Sequence, residues 1–213
     1  KISAGVISSL VQDSNRVLWI KKGDVIETFS FKKGFKSQRY KLPSSFDTAV
    51  LSSLEGNMFL STRNGKIYKL KSLISKPELF IDLGEGKGYI RQLVKYNKEY
   101  FILTENEGLF RADERGRITR SYPFLYKENQ SINAKKLYVD QKGVLWVGTQ
   151  LGLFLLDIKT DEMVTLLANP ADRYSLPHNS IWSIYPDPDG GVWIGTYGGK
   201  LAYMSFDDNR VVF

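Results

Sequence analysis

The chain has no cysteine and one histidine, His178, in 213 residues. Without cysteine there is no disulfide framework, thiolate nucleophile or cysteine-ligated zinc, and a lone histidine excludes a multi-histidine metal centre. Long apolar runs are missing as well. The densest stretch, Leu151 to Leu156, falls far short of the roughly 18 residues that a membrane-spanning helix needs. No stripe of helical period i, i+3, i+4, i+7 extends to a useful length. No initiator methionine precedes Lys1, and no charged segment leads into an apolar one, so the chain reads as a mature form or an excised piece.

What is present points to a folded, soluble, β-rich chain. Hydrophobic residues make up 42% and aromatic residues 13%, too much apolar surface for a disordered polymer. The net charge of +7 is uneven: residues 1–76 hold 14 Lys and Arg against 5 Asp and Glu, a net of +9, whereas 77–213 hold 16 against 18, a net of −2.

A repeat organises the whole length. RVLWIKKGD (16–24), GNMFLSTRNGKIYKL (56–70), KEYFILTENEGLFRAD (98–113), GVLWVGTQLGLFLLD (143–157) and GVWIGTYGGKLAYMS (191–205) align on Trp19, Phe59, Phe101, Trp146 and Trp193. The spacings of 40, 42, 45 and 47 residues suit a four-stranded propeller blade. Thr62, Thr104, Thr149 and Thr196 each stand three residues after the aromatic, and Gly65, Gly108, Gly152 and Gly199 six or seven after it; the first unit departs with Lys22 and Gly23. Each unit divides into short runs rich in Val, Ile, Leu and aromatics, bounded by Gly, Asn and Asp. The expected fold is all-β: a β-propeller of four-stranded antiparallel blades, with blades near 1–43, 44–86, 87–126, 127–170 and 171–213. The last is incomplete at RVVF (210–213), as in a segment of a larger propeller. The five aromatics serve as anchors wedged between neighbouring blades.

NPADRYSLP (169–177) followed by HNSIWSIYPDPDGGVWIGTYGGKL (178–201) closely resembles the two-component regulator propeller repeat, and SINAKKLYVDQKGVLWVGTQLGL (131–153) matches it in the fourth unit. The first three units keep only the aromatic, Thr and Gly skeleton. The resemblance implies the periplasmic sensor domain of a hybrid two-component system of the Bacteroidetes type, which detects glycan fragments. It implies a binding module and not an enzyme, with no cofactor. The parent would add further propeller, a β-sandwich, a membrane helix, a kinase and a DNA-binding regulator, and would dimerise.

If the first strand of each unit lines the central channel, the loops before it and after the aromatic strand share one rim. That rim gathers Arg63, Asn64, Glu105, Asn106, Gln150, His178, Asn179 and Tyr197, with Arg91 and Trp182 on or near the inner strands. Aromatic faces and planar amide or guanidinium donors suit sugar recognition. The expected partner is an oligosaccharide, with an acidic one favoured by the basic first third through long-range steering.

Several motifs admit a chemical and a plain reading. His178 beside Asn179 and Ser180 lacks a nucleophile elbow and reads as a loop bonding its own backbone. DPDGG (187–191) offers Asp187 and Asp189 as calcium ligands but lacks the closing glutamate, and reads as a hairpin turn. GTYGG (195–199) lacks the following helix that a phosphate cradle needs. The basic and aromatic run Lys21, Lys22, Phe29, Phe31, Lys32, Lys33, Phe35, Lys36, Arg39, Tyr40 and Lys41 imitates a nucleic-acid surface, but reads as solvated outer strands, so no nucleic-acid binding is expected. The rival functions are a propeller enzyme such as a lyase, which needs paired carboxylates or clustered histidines, and a pure protein-interaction scaffold, which needs an exposed apolar rim.

Overall fold

Runs of β-branched and aromatic residues, punctuated by tight turns, give a chain of antiparallel strands in the computed structural model, which describes residues 6–30, 36–46, 48–71, 75–126, 130–188 and 190–204. The first sheet orders β1 (Ser9–Gln12), β2 (Val17–Lys22), β3 (Val25–Ser30) and β4 (Lys36–Lys41) as a meander. The second repeats it with β5 (Val50–Leu54), β6 (Asn57–Ser61), β7 (Lys66–Leu70) and β8 (Glu78–Asp82), and the third with β9 (Ile90–Tyr96), β10 (Glu99–Thr104), β11 (Leu109–Ala112) and β12 (Ile118–Tyr122). A small hairpin, β13 (Leu125–Tyr126) and β14 (Gln130–Ser131), leads into the fourth sheet, β15 (Ala134–Val139), β16 (Val144–Thr149), β17 (Gly152–Asp157) and β18 (Met163–Leu166). The fifth holds three described strands, β19 (Ile181–Pro186), β20 (Val192–Thr196) and β21 (Leu201–Met204). Residues 210–213 lie outside the described residues.

The sheets stack as blades. β1 packs beside β5, β5 beside β9, β9 beside β15 and β15 beside β19, so the first strand of each blade forms the inner wall. Four core clusters fill the four blade junctions. Trp19 sits in the first junction, Phe59 in the second, Phe101 in the third and Trp146 in the fourth. Phe59, Phe101 and Trp146 have no exposed surface, and burying an aromatic of this size stabilises by about 3 kcal/mol, more than a typical net hydrogen bond. Trp193 departs from this pattern. It is 38% exposed, because its face of the fifth blade is not covered by another described blade, and it packs instead at a tilt against Tyr203, ring centres 4.6 Å apart.

The repeated threonine has a local cause. The hydroxyls of Thr62, Thr104, Thr149 and Thr196 donate to the carbonyls of Lys66, Gly108, Gly152 and Lys200 at 2.8, 2.8, 2.9 and 3.0 Å, pinning the turn after each aromatic strand. Gly108 shows why glycine follows: its φ is +93°, and a Cβ there would lie 2.2 Å from the Tyr122 carbonyl. In the first blade Lys22 takes the threonine position and pairs with Glu27 at 3.2 Å, both side chains buried.

A second regularity lies at the opposite end of the blades. Asp13, Asp140 and Asp187 accept the indole N–H of Trp19, Trp146 and Trp193 at 2.9, 3.1 and 2.8 Å. Asp13 and Asp140 also accept two backbone N–H groups of their own hairpin turn. One carboxylate thus folds the turn and orients the ring that plugs the junction.

Candidate ligand-binding rim

The turns after the aromatic strands and the segments entering the inner strands share one rim, tied together by backbone bonds. Glu105 N–H donates to Tyr89 O at 2.8 Å, Gln150 N–H to Asn133 O at 3.0 Å and Tyr197 N–H to Ser180 O at 2.9 Å. Bonds also cross between blades, from Ala134 N–H to Glu105 O and from Gly152 N–H to Asn179 O, each 2.8 Å. Side chains on this rim are therefore carried by a fixed backbone.

The rim residues expected from the sequence divide into two groups. Arg63 and Arg91 both stand over the ring of Tyr89, their guanidinium carbons 5.2 and 4.9 Å from its centre. Arg91 pairs with Glu105, whose carboxylate also accepts Asn133 Nδ2 at 3.1 Å. On the fifth blade His178 and Tyr197 lie 5.8 Å apart, and Tyr197 lies 6.5 Å from Trp182. Trp182 is 56% and Tyr197 62% exposed, and His178 is exposed too. Gln150 and Asn106 are exposed on their turns. By contrast the Asn64 amide sits against the Thr62 hydroxyl, and Asn179 accepts the Ala168 N–H at 2.6 Å, so these two amides hold loops. His178 also serves its loop, its Nδ1 accepting the Ser180 N–H at 2.9 Å.

Two rim residues escape a reading of the sequence: Tyr89 and Lys135. The Lys135 ammonium lies 3.5 Å from the centre of the Trp182 ring and 3.5 Å from Ser180 Oγ. Burial holds its pKa below the usual lysine range, and repulsion from Arg91 adds to this. Among the described residues no carboxylate forms an ion pair with it. Mid-strand lysines carry no local signature, because the contact is made across blades, 47 positions away in sequence.

The other motifs take plain roles. Asp187 closes its hairpin and holds the Trp193 indole, while Asp189 lies outside the described residues. The GTYGG segment runs into β21 and not into a long helix. The basic run differs from the solvated strands expected of it. Lys21 is fully buried on β2, donating to Gly23 O at 2.5 Å, and Lys22 is buried with Glu27, since β2 is an interior strand of its blade. Phe29 is buried as well; residues 31–35 and the Lys36 side chain lie outside the description. On the opposite rim a cleft of about 650 Å³ opens between the fourth and fifth blades, lined by Tyr138, Asp140, Lys142, Pro186 and Asp187. Among the described residues no three His, Asp or Glu side chains converge to hold a metal.

The chain matches known proteins both in its fold and in its sequence. Residues 175–198 match the two component regulator propeller family. The histidine kinase P4 of Formosa agariphila is 28% identical over 194 residues, 85% of this chain but 14% of that protein. The extracellular domain of a B. thetaiotaomicron protein, described both as a one component and as a hybrid two component system, superposes with TM-scores of 0.76 and 0.72 at 19% and 20% identity. It is matched over 98% and 95% of this chain and 28% and 27% of its own. Virginiamycin B lyase of Staphylococcus aureus superposes with a TM-score of 0.67 at 15% identity, over 94% of this chain and 70% of its own. The chain spans about one seventh of the curated relative and little more than a quarter of the bacterial extracellular domain. The chain is a β-propeller segment whose fifth blade, over residues 175–198, matches the two component regulator propeller repeat.

Proposed function

We propose that this segment is the ligand-sensing part of a hybrid two-component regulator, placed outside the cytoplasm, and that it binds an oligosaccharide on the rim of its inner wall. The observation that carries the reading is the exposed set of rings on the fifth blade, Trp182, Tyr197 and His178, held by a backbone-bonded rim. Ring faces of this kind stack on the apolar faces of sugars, while neighbouring guanidinium and amide groups take their hydroxyls. The segment acts by binding, and any kinase chemistry belongs elsewhere in the parent. Binding changes signalling by favouring one arrangement of the sensor over another.

The rest of the parent propeller would seat on the outward face of the fifth blade. In the fourth blade Trp146 and Leu153 are fully buried by their neighbour, whereas the matching Trp193 and Leu201 are 38% and 62% exposed. A thermal-shift screen of the chain against oligosaccharides, followed by calorimetry, tests the ligand reading. Trp182→Ala with Tyr197→Ala is expected to weaken binding at least about tenfold; unchanged affinity in a folded double variant rules out this rim.

A further inference from the structure

The rim carries more charge than sugar stacking requires. From the second blade to the fifth, cations and rings follow one another along it: Arg63, Tyr89, Arg91, then Lys135 and Trp182, with Glu105 beside Arg91. Glu105 pairs with Arg91 and Glu107 on the same turn pairs with Lys87, which leaves Arg63 and Lys135 as cations that no described carboxylate meets. Lys135 is half-buried, its ammonium is disfavoured by desolvation and by Arg91, and no described carboxylate neutralises it. An anion placed between Lys135 and Arg91 relieves both costs at once, and the guanidinium fork matches a carboxylate or sulfate edge. At the far end Arg63, carried by the second blade, stands over the same Tyr89 ring as Arg91 of the third.

We infer that the ligand is an extended oligosaccharide bearing negative groups, uronate carboxylates or sulfate esters, on more than one sugar, and that Lys135 with Arg91 reads one of them while Arg63 reads another. This rests on the rim being the saccharide site proposed above. The charges lie on an arc spanning three blades, from the second to the fourth, so a ligand with a single anion satisfies only one end.

The test uses the whole chain with paired probes: an oligogalacturonate and its carboxyl-reduced neutral counterpart, and a sulfated oligosaccharide and its desulfated form, each as dimer and hexamer. The acidic member of at least one pair is expected to bind about tenfold tighter at low salt, with the preference shrinking as salt rises. Lys135→Met is expected to remove about a tenfold share of acidic affinity and leave the neutral probe within about twofold, while Lys135→Arg keeps the preference. Arg63→Gln is expected to weaken the acidic hexamer and spare the dimer. Melting curves confirm that each variant is folded, and Lys135→Arg carries the test if Lys135→Met is not. Equal binding of acidic and neutral probes, abolished together by Trp182→Ala, overturns the charge inference and leaves the saccharide site standing. Binding of no oligosaccharide overturns both, and tighter binding of single-stranded oligothymidylate than of any saccharide overturns the ligand class.

Discussion

Asp140 holds the indole N–H of Trp146 at 3.1 Å while that ring is wholly buried between the fourth and fifth blades. Asp187 holds Trp193 at 2.8 Å in the same way, but on a ring that is 38% exposed. Removing the carboxylate strands a buried donor in the first case and one that water reaches in the second. Asp140→Ala is expected to cost about 2–3 kcal/mol and Asp187→Ala under about 1. Urea denaturation of the two variants checks this, and equal losses would show that burial of the donor is not what matters.

The blade junction at Gly148 admits no side chain. A Cβ there would lie 2.7 Å from Ile181 Cγ2 and 3.1 Å from its Cβ. Gly148→Ala is expected to cost about 1–3 kcal/mol through overpacking. Gly195 is its counterpart on the fifth blade, where the obstacle is the Ser183 hydroxyl at 2.2 Å, a group free to turn away. Gly195→Ala is expected to cost under about 1 kcal/mol, a contrast that thermal unfolding will read.

Asp161, in the turn between β17 and β18, clasps the third blade to the fourth. It accepts from Arg111 at 3.2 Å and from Tyr122 Oη and Arg120, both at 2.5 Å. Asp161→Ala is expected to destabilise by about 1–2 kcal/mol, moderated by the exposure of Arg120. The backbone there has φ of +59°, which asparagine tolerates, so Asp161→Asn separates the loss of charge from the loss of turn geometry.

Tyr100, Tyr122 and Tyr138 all have pKa values raised by burial. A tyrosine that holds its proton more tightly when folded contributes stability below its unfolded pKa and loses it as pH rises through the folded one. The melting temperature is therefore expected to fall above about pH 10. Tyr122→Phe, which cannot ionise, is expected to shallow that fall; an identical alkaline profile in the variant would remove Tyr122 from the cause.

Much of the fold was legible because every blade repeats the same problem. Trp19, Phe59, Phe101 and Trp146 mark their junctions at a period set by four short strands, and the threonine and glycine that follow mark a turn that needs a hydroxyl donor and a positive φ. The aspartate six residues before Trp19, Trp146 and Trp193 was equally visible as a spacing, but its meaning, a hydrogen bond to the ring, appears only once the hairpin folds back. The rim was half legible. Arg63, Arg91, Trp182 and Tyr197 fall on it by strand order, whereas Lys135 and Tyr89 join it through neighbours on other blades. Lys21 and Lys22 ran against expectation because charge in the sequence does not reveal which strand of a blade is interior.

The close approach of Ile181 to Gly148 has a counterpart one blade earlier, where Leu103 and Ala134 share a core cluster. A large residue meets a small one at the third junction, and a small residue meets a large one at the fourth. Swapping the fourth and fifth blades would set Leu103 against Ile181 and crowd the joint. The order of the blades is thus written in side-chain volumes, an address by which each unit recognises its own successor.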